Sequence, residues 1–388
     1  MPAGGQAVRV LTPVRFDTRL VHSGWDTRTG TGDVVAPVHV AVTYDRFAED
    51  PPRYFYARGE NPTREALEAC LAALEDAEFA LAFASGQAAG AAVLSLLGPG
   101  DRVVASDDVY GGTHALFEIW RRYGVVVSQA DLADPRAAER ALSPRPALVW
   151  VETPTNPLMK ISDIAGLRAL AGSVTIVVDN TFASPALQRP IAEGADISLY
   201  STTKFVAGHS DVIGGALVLD DPDVYQRLAA HRTVTGAVPG AFDCFLVHRG
   251  VQTLSVRIAR QVANARALAA ALESSPLVGA VHYPGLPSHP GHEVAARQMT
   301  EPGAMLSFTY RGDVEKLLAS TRLFTAAVSL GGVRSFIECP ALMSHRPIPR
   351  DVRLSAGLTD DLIRVSAGLE DPADLVEDLC AALERGRS

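Results

Sequence analysis

Lysine is scarce in this chain: of 388 residues, only Lys160, Lys204 and Lys316 carry an ε-amine. Cysteine is scarce too. Cys70, Cys244, Cys339 and Cys380 stand far apart, with no CxxC pair and no zinc-type spacing, which speaks against a disulfide framework and fits a reducing cytoplasm. Positive charge is in deficit, and a formal net charge of −9 argues against nucleic acid or an anionic membrane as the main partner. No basic-then-apolar leader opens the chain. The uncharged stretch 79–100 is broken at Ser85-Gly86-Gln87, so it reads as a strand followed by a small-residue helix rather than a membrane span. There is no internal repeat or low-complexity segment. The expectation is a soluble, cytoplasmic protein, long enough for two domains.

What is present is an alternation of periods. Residues 1–60 are irregular and read as an arm without a core of its own, lying on something larger such as a neighbouring subunit. Thr63 is placed to cap a helix on which Ala66, Leu67, Cys70, Leu71 and Leu74 share a face. Apolar runs at 79–84, 102–106, 147–152, 174–179, 197–200 and 213–219 then read as buried strands, and helical patterns at 87–97, 113–123, 135–142 and 162–171 separate most of them. Strands alternating with helices imply an α/β domain over 61–245, with a mostly parallel central sheet covered on both faces. From 246 to 388 the pattern changes to a long helix at 253–271, shorter runs at 305–310 and 363–367, and a closing helix from Pro372. This reads as a smaller α+β domain.

Ligands of such a sheet sit at the carboxyl ends of its strands. The first run ends in Ser85-Gly86-Gln87, opening a helix whose free N–H groups suit a phosphate. The others deliver Asp107-Asp108-Val109-Tyr110-Gly111-Gly112-Thr113, Glu152-Thr153-Pro154-Thr155-Asn156-Pro157, Asp179-Asn180-Thr181, and Ser201-Thr202-Thr203-Lys204. Each has a plain explanation as a turn, a cap or a solvated cation. Five at one edge of one sheet are harder to explain that way. A lysine able to form a Schiff base, a carboxylate for a pyridinium nitrogen, an aromatic ring to stack and a phosphate cradle describe a pyridoxal 5'-phosphate site.

With these motifs, the chain resembles the cysteine and methionine metabolism family of pyridoxal phosphate enzymes, which have the aspartate aminotransferase-like fold type I. The likeness also rests on Tyr56-Ala57-Arg58, Asn61-Pro62-Thr63, Ser329-Leu330-Gly331-Gly332 and the run from Arg364 to Asp371, and it covers nearly the whole chain. The resemblance implies that Lys204 holds the cofactor and carries protons between substrate carbons. Asp179 would pair with the ring nitrogen, Tyr110 would stack on the ring and serve in acid–base steps, and Asn156 would touch the ring hydroxyl. Gly86, Gln87, Ser201 and Thr203 would bind the phosphate, joined by Tyr56 and Arg58 from a partner subunit. Arg364 would clamp the substrate α-carboxylate with its planar fork, with Ser329 nearby. A homotetramer built from two active dimers is implied. His289 and His292 form an HxxH, but no third ligand is evident and no metal is expected.

The family includes β- and γ-lyases, γ-synthases and sulfhydrylases, so the substrate has to be read from the outer pocket. Cystathionine-handling relatives carry polar or charged groups at the positions of Phe55, Ala115 and Val328, which are apolar here. An apolar pocket suits the methyl thioether of L-methionine, and a methionine γ-lyase is the expected activity. Cystathionine γ-lyase and a γ-replacement transferase (cystathionine γ-synthase or O-acylhomoserine sulfhydrylase) are the alternatives. Gly112 is a departure, because methionine γ-lyases often have cysteine there and cystathionine enzymes glycine. A non-catalytic binding protein would not be expected to keep Lys204, Asp179 and Arg364 together.

Overall fold

A computed structural model describes residues 14–26, 32–47 and 53–387, so parts of the expected arm (1–13, 27–31 and 48–52) lie outside the described residues. Seven strands form one sheet: Phe79–Phe83 (β1), Arg102–Ser106 (β2), Val126–Ala130 (β3), Leu148–Glu152 (β4), Thr175–Asp179 (β5), Ile197–Tyr200 (β6) and Gly215–Leu219 (β7). Their spatial order is β1-β7-β6-β5-β4-β2-β3, and β7 alone runs antiparallel to its neighbours. The carboxyl ends of the other six therefore share an edge.

Alternation along each strand divides the apolar side chains between two faces. Ala80 and Ala82 of β1 meet Leu67, Leu71 and Leu74 of the helix Pro62–Glu75, whereas Leu81 and Phe83 meet Ala89 and Val93 of the helix Gly86–Leu94 on the other side. In the same way Val149 and Val151 of β4 pack on Ile164 and Leu167, and Trp150 packs edge-on against Phe117. With both faces covered, the inner strands are apolar throughout, which is why their sequence runs are nearly uninterrupted. β3 had no counterpart in the sequence reading. It is an edge strand, and only Val127 of its five residues is buried, so Ser128 and Gln129 are tolerated and the run looks like a loop.

Five further strands, Val278–His282 (β8), Met305–Tyr310 (β9), Thr325–Ala326 (β10), Phe336–Glu338 (β11) and Leu362–Ser366 (β12), form a second sheet in the order β10-β11-β12-β9-β8. The helix Leu254–Glu273 joins the two cores. Leu254, Ile258 and Val262 pack under the large sheet, and Leu268 and Leu272 pack with Phe308, Val365 and Leu379 under the small one. Among the described residues no helix is long and apolar enough to cross a membrane.

Two local expectations change. The cap of Pro62–Glu75 is Asn61, whose side chain accepts from the N–H groups of Thr63 (3.0 Å) and Arg64 (3.1 Å). Pro62 fits the first helical position because that N–H has no intrahelical partner. The Thr63 hydroxyl instead accepts from His39 N–H at 2.8 Å and donates to the Pro37 carbonyl at 3.0 Å, fastening the arm to the helix. The arm also contains a helix, Phe16–His22, that packs on its own chain: Leu20 is buried, and Arg19 donates to the Ala73 carbonyl and pairs with Asp76.

Removing the cap gives a direct check. Asn61→Ala is expected to destabilise the fold by about 1 kcal/mol, seen as a lower thermal midpoint, because two N–H groups lose their acceptor. An unchanged midpoint would show that another group carries the cap.

Candidate active site

At the shared carboxyl edge lies a cavity of about 330 Å³. It is lined by Gly86, Gln87, Tyr110, Asn156, Asp179, Ser201, Thr203, Lys204, Val328, Ser329 and Arg364. The first eight follow the ends of five strands of the large sheet, and the last three come from the chain beyond β9. Two elements distant in sequence thus close over one space.

Lys204 sits in a tight turn after β6. Its N–H donates to the Ser201 carbonyl (3.1 Å), its carbonyl accepts from Gly208 (2.8 Å), and Ser201 N–H is held by the Thr181 hydroxyl (2.9 Å). The ammonium Nζ donates to Ser329 Oγ at 3.0 Å. Burial, reinforced by the Arg364 charge and opposed by Glu338, lowers the amine to about 8. Ser329 has φ 105°, a conformation that L-residues rarely adopt and that costs on the order of 1–3 kcal/mol. That strain delivers both its hydroxyl to Lys204 and its carbonyl to Arg364.

Arg364 is held from three sides. Nη1 donates to Asn156 Oδ1 (2.9 Å), Nη2 donates to the Ser329 carbonyl (3.1 Å), and Nη2 also lies 2.9 Å from Glu338 Oε1. Glu338 and Arg364 are register partners on β11 and β12. Glu338 further accepts from Ser344 Oγ at 2.7 Å. Asp179 receives the Thr181 N–H at 3.1 Å, and burial raises its carboxyl to about 6.

These residues fit pyridoxal phosphate. Ser85 Oγ caps the helix Gly86–Leu94 by accepting from Ala88, while the N–H groups of Gly86 and Gln87, in its first turn, have no intrahelical partner and suit a phosphate. A Cβ at position 86 would approach Ser201 Cβ to 3.0 Å, so glycine lets the two sides of the cradle come together. Thr203 is less free than expected, since its hydroxyl donates to the Gly214 carbonyl (3.2 Å) and accepts the Gly214 N–H (3.0 Å). It has to rotate before it can donate to an anion.

Four of the expected residues lie outside the cavity of a single chain. Phe55 and Tyr56 are exposed, and Arg58 donates to the Thr233 carbonyl (2.9 Å) with its guanidinium 5.5 Å from the Tyr56 ring. Ala115 is exposed on the helix Gly111–Arg122. The histidines of the HxxH turn to their own loop: His289 Nδ1 accepts from Gly291, and His292 Nδ1 lies 2.9 Å from the Pro284 carbonyl. Sequence reasoning gave no site role to Glu338, Phe182 or Glu152, although Glu152 opens one of the strand-end runs. An acid at the end of an apolar run was the only signal for the two glutamates, and it reads equally well as a strand boundary.

Comparison with known proteins gives a consistent answer. The family described as "Cys/Met metabolism PLP-dependent enzyme" matches residues 17–384. Cystathionine gamma-synthase of Mycobacterium tuberculosis is 47% identical over 375 residues, 94% of this chain and 96% of that protein. Human cystathionine gamma-lyase is 44% identical over 378 residues, 95% of this chain and 93% of that protein. CalE6 of Micromonospora echinospora has been solved twice. One structure, described as cystathione gamma lyase, is 58% identical with a TM-score of 0.93 and covers 96% of this chain and 99% of its own. The apo structure, described as a methionine gamma lyase, is 57% identical with a TM-score of 0.91 and covers 96% of this chain and 100% of its own. The chain has fold type I, its cofactor is pyridoxal phosphate, and it belongs to the Cys/Met metabolism family of pyridoxal phosphate-dependent enzymes.

Proposed function

We propose that this enzyme carries out γ-elimination on L-methionine, consuming water and releasing methanethiol, 2-oxobutanoate and ammonia. The coarser statement, a pyridoxal phosphate enzyme of γ-elimination or γ-replacement acting on substrates of the cystathionine and methionine type, follows from the family and the named relatives. One observation supports the choice of methionine. The carboxylic acids and bases among the described lining residues are Glu152, Asp179, Lys204 and Arg364; the last three have work at the cofactor or the α-carboxylate, and the Glu152 carboxyl is turned to the Tyr110 N–H. Nothing charged among the described lining residues remains for the far end of a longer substrate. The outer wall includes Val328, Ile213 and Leu116. Cystathionine ends in an ammonium and a carboxylate, and burying a charge without its partner costs roughly 3–5 kcal/mol. The methyl group of methionine gains about 0.8 kcal/mol by burial.

The side chains divide the work. When bound, the cofactor supplies an electron sink that makes protons on the α- and β-carbons removable. Asp179 would keep the ring nitrogen protonated, Asn156 would meet the ring hydroxyl, and Gly86, Gln87 and Ser201 would hold the phosphate, with Thr203 joining after rotation. Arg364 takes the α-carboxylate on its fork. Lys204 would hold the cofactor, and its Nζ would take the α-proton and take part in moving the β-proton. The Tyr110 hydroxyl donates a proton to the departing sulfur. Phe55, Tyr56 and Arg58 are assigned to the neighbouring subunit's site, which makes the dimer the active unit within a homotetramer. Ala115 is assigned to the apolar rim.

Gly112 favours a second reading, cystathionine γ-lyase. A Cβ there would lie 2.4 Å from Tyr110 Cε1 and 2.9 Å from Gln87 Nε2, so the cysteine frequent in methionine γ-lyases would require the Tyr110 ring and the Gln87 side chain to shift.

The deciding assay measures 2-oxobutanoate from cofactor-loaded protein with L-methionine or L-cystathionine, and with O-acetylhomoserine with or without a thiol. Methionine is expected to lead, with methanethiol released. A cystathionine lead of about tenfold, equivalent to about 1.4 kcal/mol at the transition state, would sink the methionine reading. Turnover that needs the thiol would place the enzyme among the transferases.

Val328→Glu tests the pocket argument itself. It gives a distal ammonium a partner and sets a charge beside the thioether, at a position that is 54% exposed in the single chain. The ratio of kcat/KM for cystathionine over methionine is expected to rise about tenfold. An unchanged ratio would remove Val328 from the specificity argument.

A further inference from the structure

Three strand ends place carboxylates side by side. β4 lies between β5 and β2. Glu152 is the last residue of β4, and its register partner Asp179 is the last residue of β5. Asp108 comes two residues after the end of β2. All three are buried, and Glu152, on the middle strand, has an acid on either side.

Their partners differ. Asp108 receives the Thr155 hydroxyl at 2.5 Å and the Leu158 N–H at 3.0 Å, and Lys160 bonds the adjoining Asp107. Asp179 receives the Thr181 N–H and lines the cavity. Glu152 Oε2 accepts the Tyr110 N–H at 2.9 Å. Among the described residues no lysine, arginine or histidine bonds the Glu152 carboxyl. The cation acting on it from a distance is Arg364, which Glu338 already engages. Adjacent buried carboxylates cannot all ionise, and the proton belongs on the one with acids on both sides.

We propose that Glu152 is a positioning residue that works as a neutral carboxylic acid: it anchors Tyr110 through the backbone N–H and, by keeping its proton, leaves Asp179 free to ionise against the cofactor's ring nitrogen. This rests on the reading that Asp179 and Tyr110 face the pyridoxal ring. Burial, then Asp179 and Asp108, hold the Glu152 carboxyl well above its ordinary range, with the Tyr110 N–H and Arg364 opposing, whereas Asp179 rises only to about 6. Tyr110 is the N-cap of the helix Gly111–Arg122 and makes no side-chain cap of its own, so the Glu152 carboxyl is a fixed point for its backbone.

A neutral acid has a neutral isostere. The test compares Glu152→Gln, Glu152→Leu, Asp179→Asn and Tyr110→Phe by infrared difference spectroscopy of the apoprotein at pH 8, and by absorbance and pyridoxal phosphate affinity of the reconstituted protein. The carbonyl stretch of a protonated carboxylic acid is expected in the wild type, in Asp179→Asn and in Tyr110→Phe, and its loss in Glu152→Gln. Glutamine should keep the pH profile of the bound-cofactor absorbance and hold the affinity within about threefold, since it can still accept the Tyr110 N–H. Leucine should weaken the affinity about tenfold, the scale of one lost hydrogen bond. No acid band in the wild type, or glutamine as damaging as leucine, would overturn the proposal. If the leucine variant fails to fold, the infrared band and the glutamine pH profile still decide. An Asp179→Asn holoenzyme with a wild-type pH profile would overturn the part that concerns Asp179 and identify the failure as that of the ring-nitrogen reading, with the Glu152 band unaffected.

Discussion

Arg364 has to carry a positive charge where water does not reach. Its side chain is 3% exposed, and that of its partner Glu338 is 1% exposed. Breaking such a pair from one side costs roughly 3–5 kcal/mol, because the remaining charge stays buried alone. The geometry of the whole site follows from satisfying this guanidinium. Glu338 comes from the next strand, Asn156 from the loop after β4, and the Ser329 carbonyl from a strained turn. The first sheet and the second therefore meet at one cation. The same charge acts on Lys204 and helps lower its amine, so on the proposed reading substrate anchoring and amine activation share a cause. Glu338 Oε2 is buried and has no hydrogen-bond partner among the described residues, so the network is balanced on one oxygen only.

The balance of charge in the cavity is also the basis of the functional argument. Two cations and two acids line it among the described residues; on the proposed reading Asp179, Lys204 and Arg364 serve the cofactor and the amino-acid end of the substrate, and Glu152 holds Tyr110. Discrimination is left to the apolar wall, whose contribution amounts to about a kilocalorie per carbon and is not steep. A pocket of this kind favours a short thioether without strictly excluding others.

The parts of the fold that could be read from sequence were those whose burial is uniform. β2 and β6 have the bounds expected, and β4 and β5 differ by a residue, because strands covered on both faces leave unbroken apolar runs. β3 was missed because an edge strand need not be apolar. The cap moved from Thr63 to Asn61 because Pro62 starts the helix two residues earlier than a hydroxyl-based reading assumes. In the site, motifs confined to one loop were visible, as with Ser201 to Lys204. Glu338 was not, because its meaning depends on a register with Arg364, 26 residues on, that no local spacing reveals. Phe55, Tyr56 and Arg58 illustrate a different limit, since one chain does not place them in its own cavity.

The central claim is that burial beside Arg364 lowers the Lys204 amine to about 8, so that its neutral form becomes accessible just above physiological pH. With three lysines in the chain, it can be measured residue by residue: the apoprotein is labelled with a small amine-reactive reagent across pH, and each peptide is read by mass spectrometry. Lys160 is the internal contrast. Burial works against its charge, but Asp131 and Asp107 hold its amine above the ordinary value. Because the folded pKa of Lys204 is depressed, its reactive neutral form should appear as pH rises through about 8, well before that of Lys160. A Lys204 profile that rises only with Lys160, at or above the ordinary lysine value of about 10.4, would contradict the account.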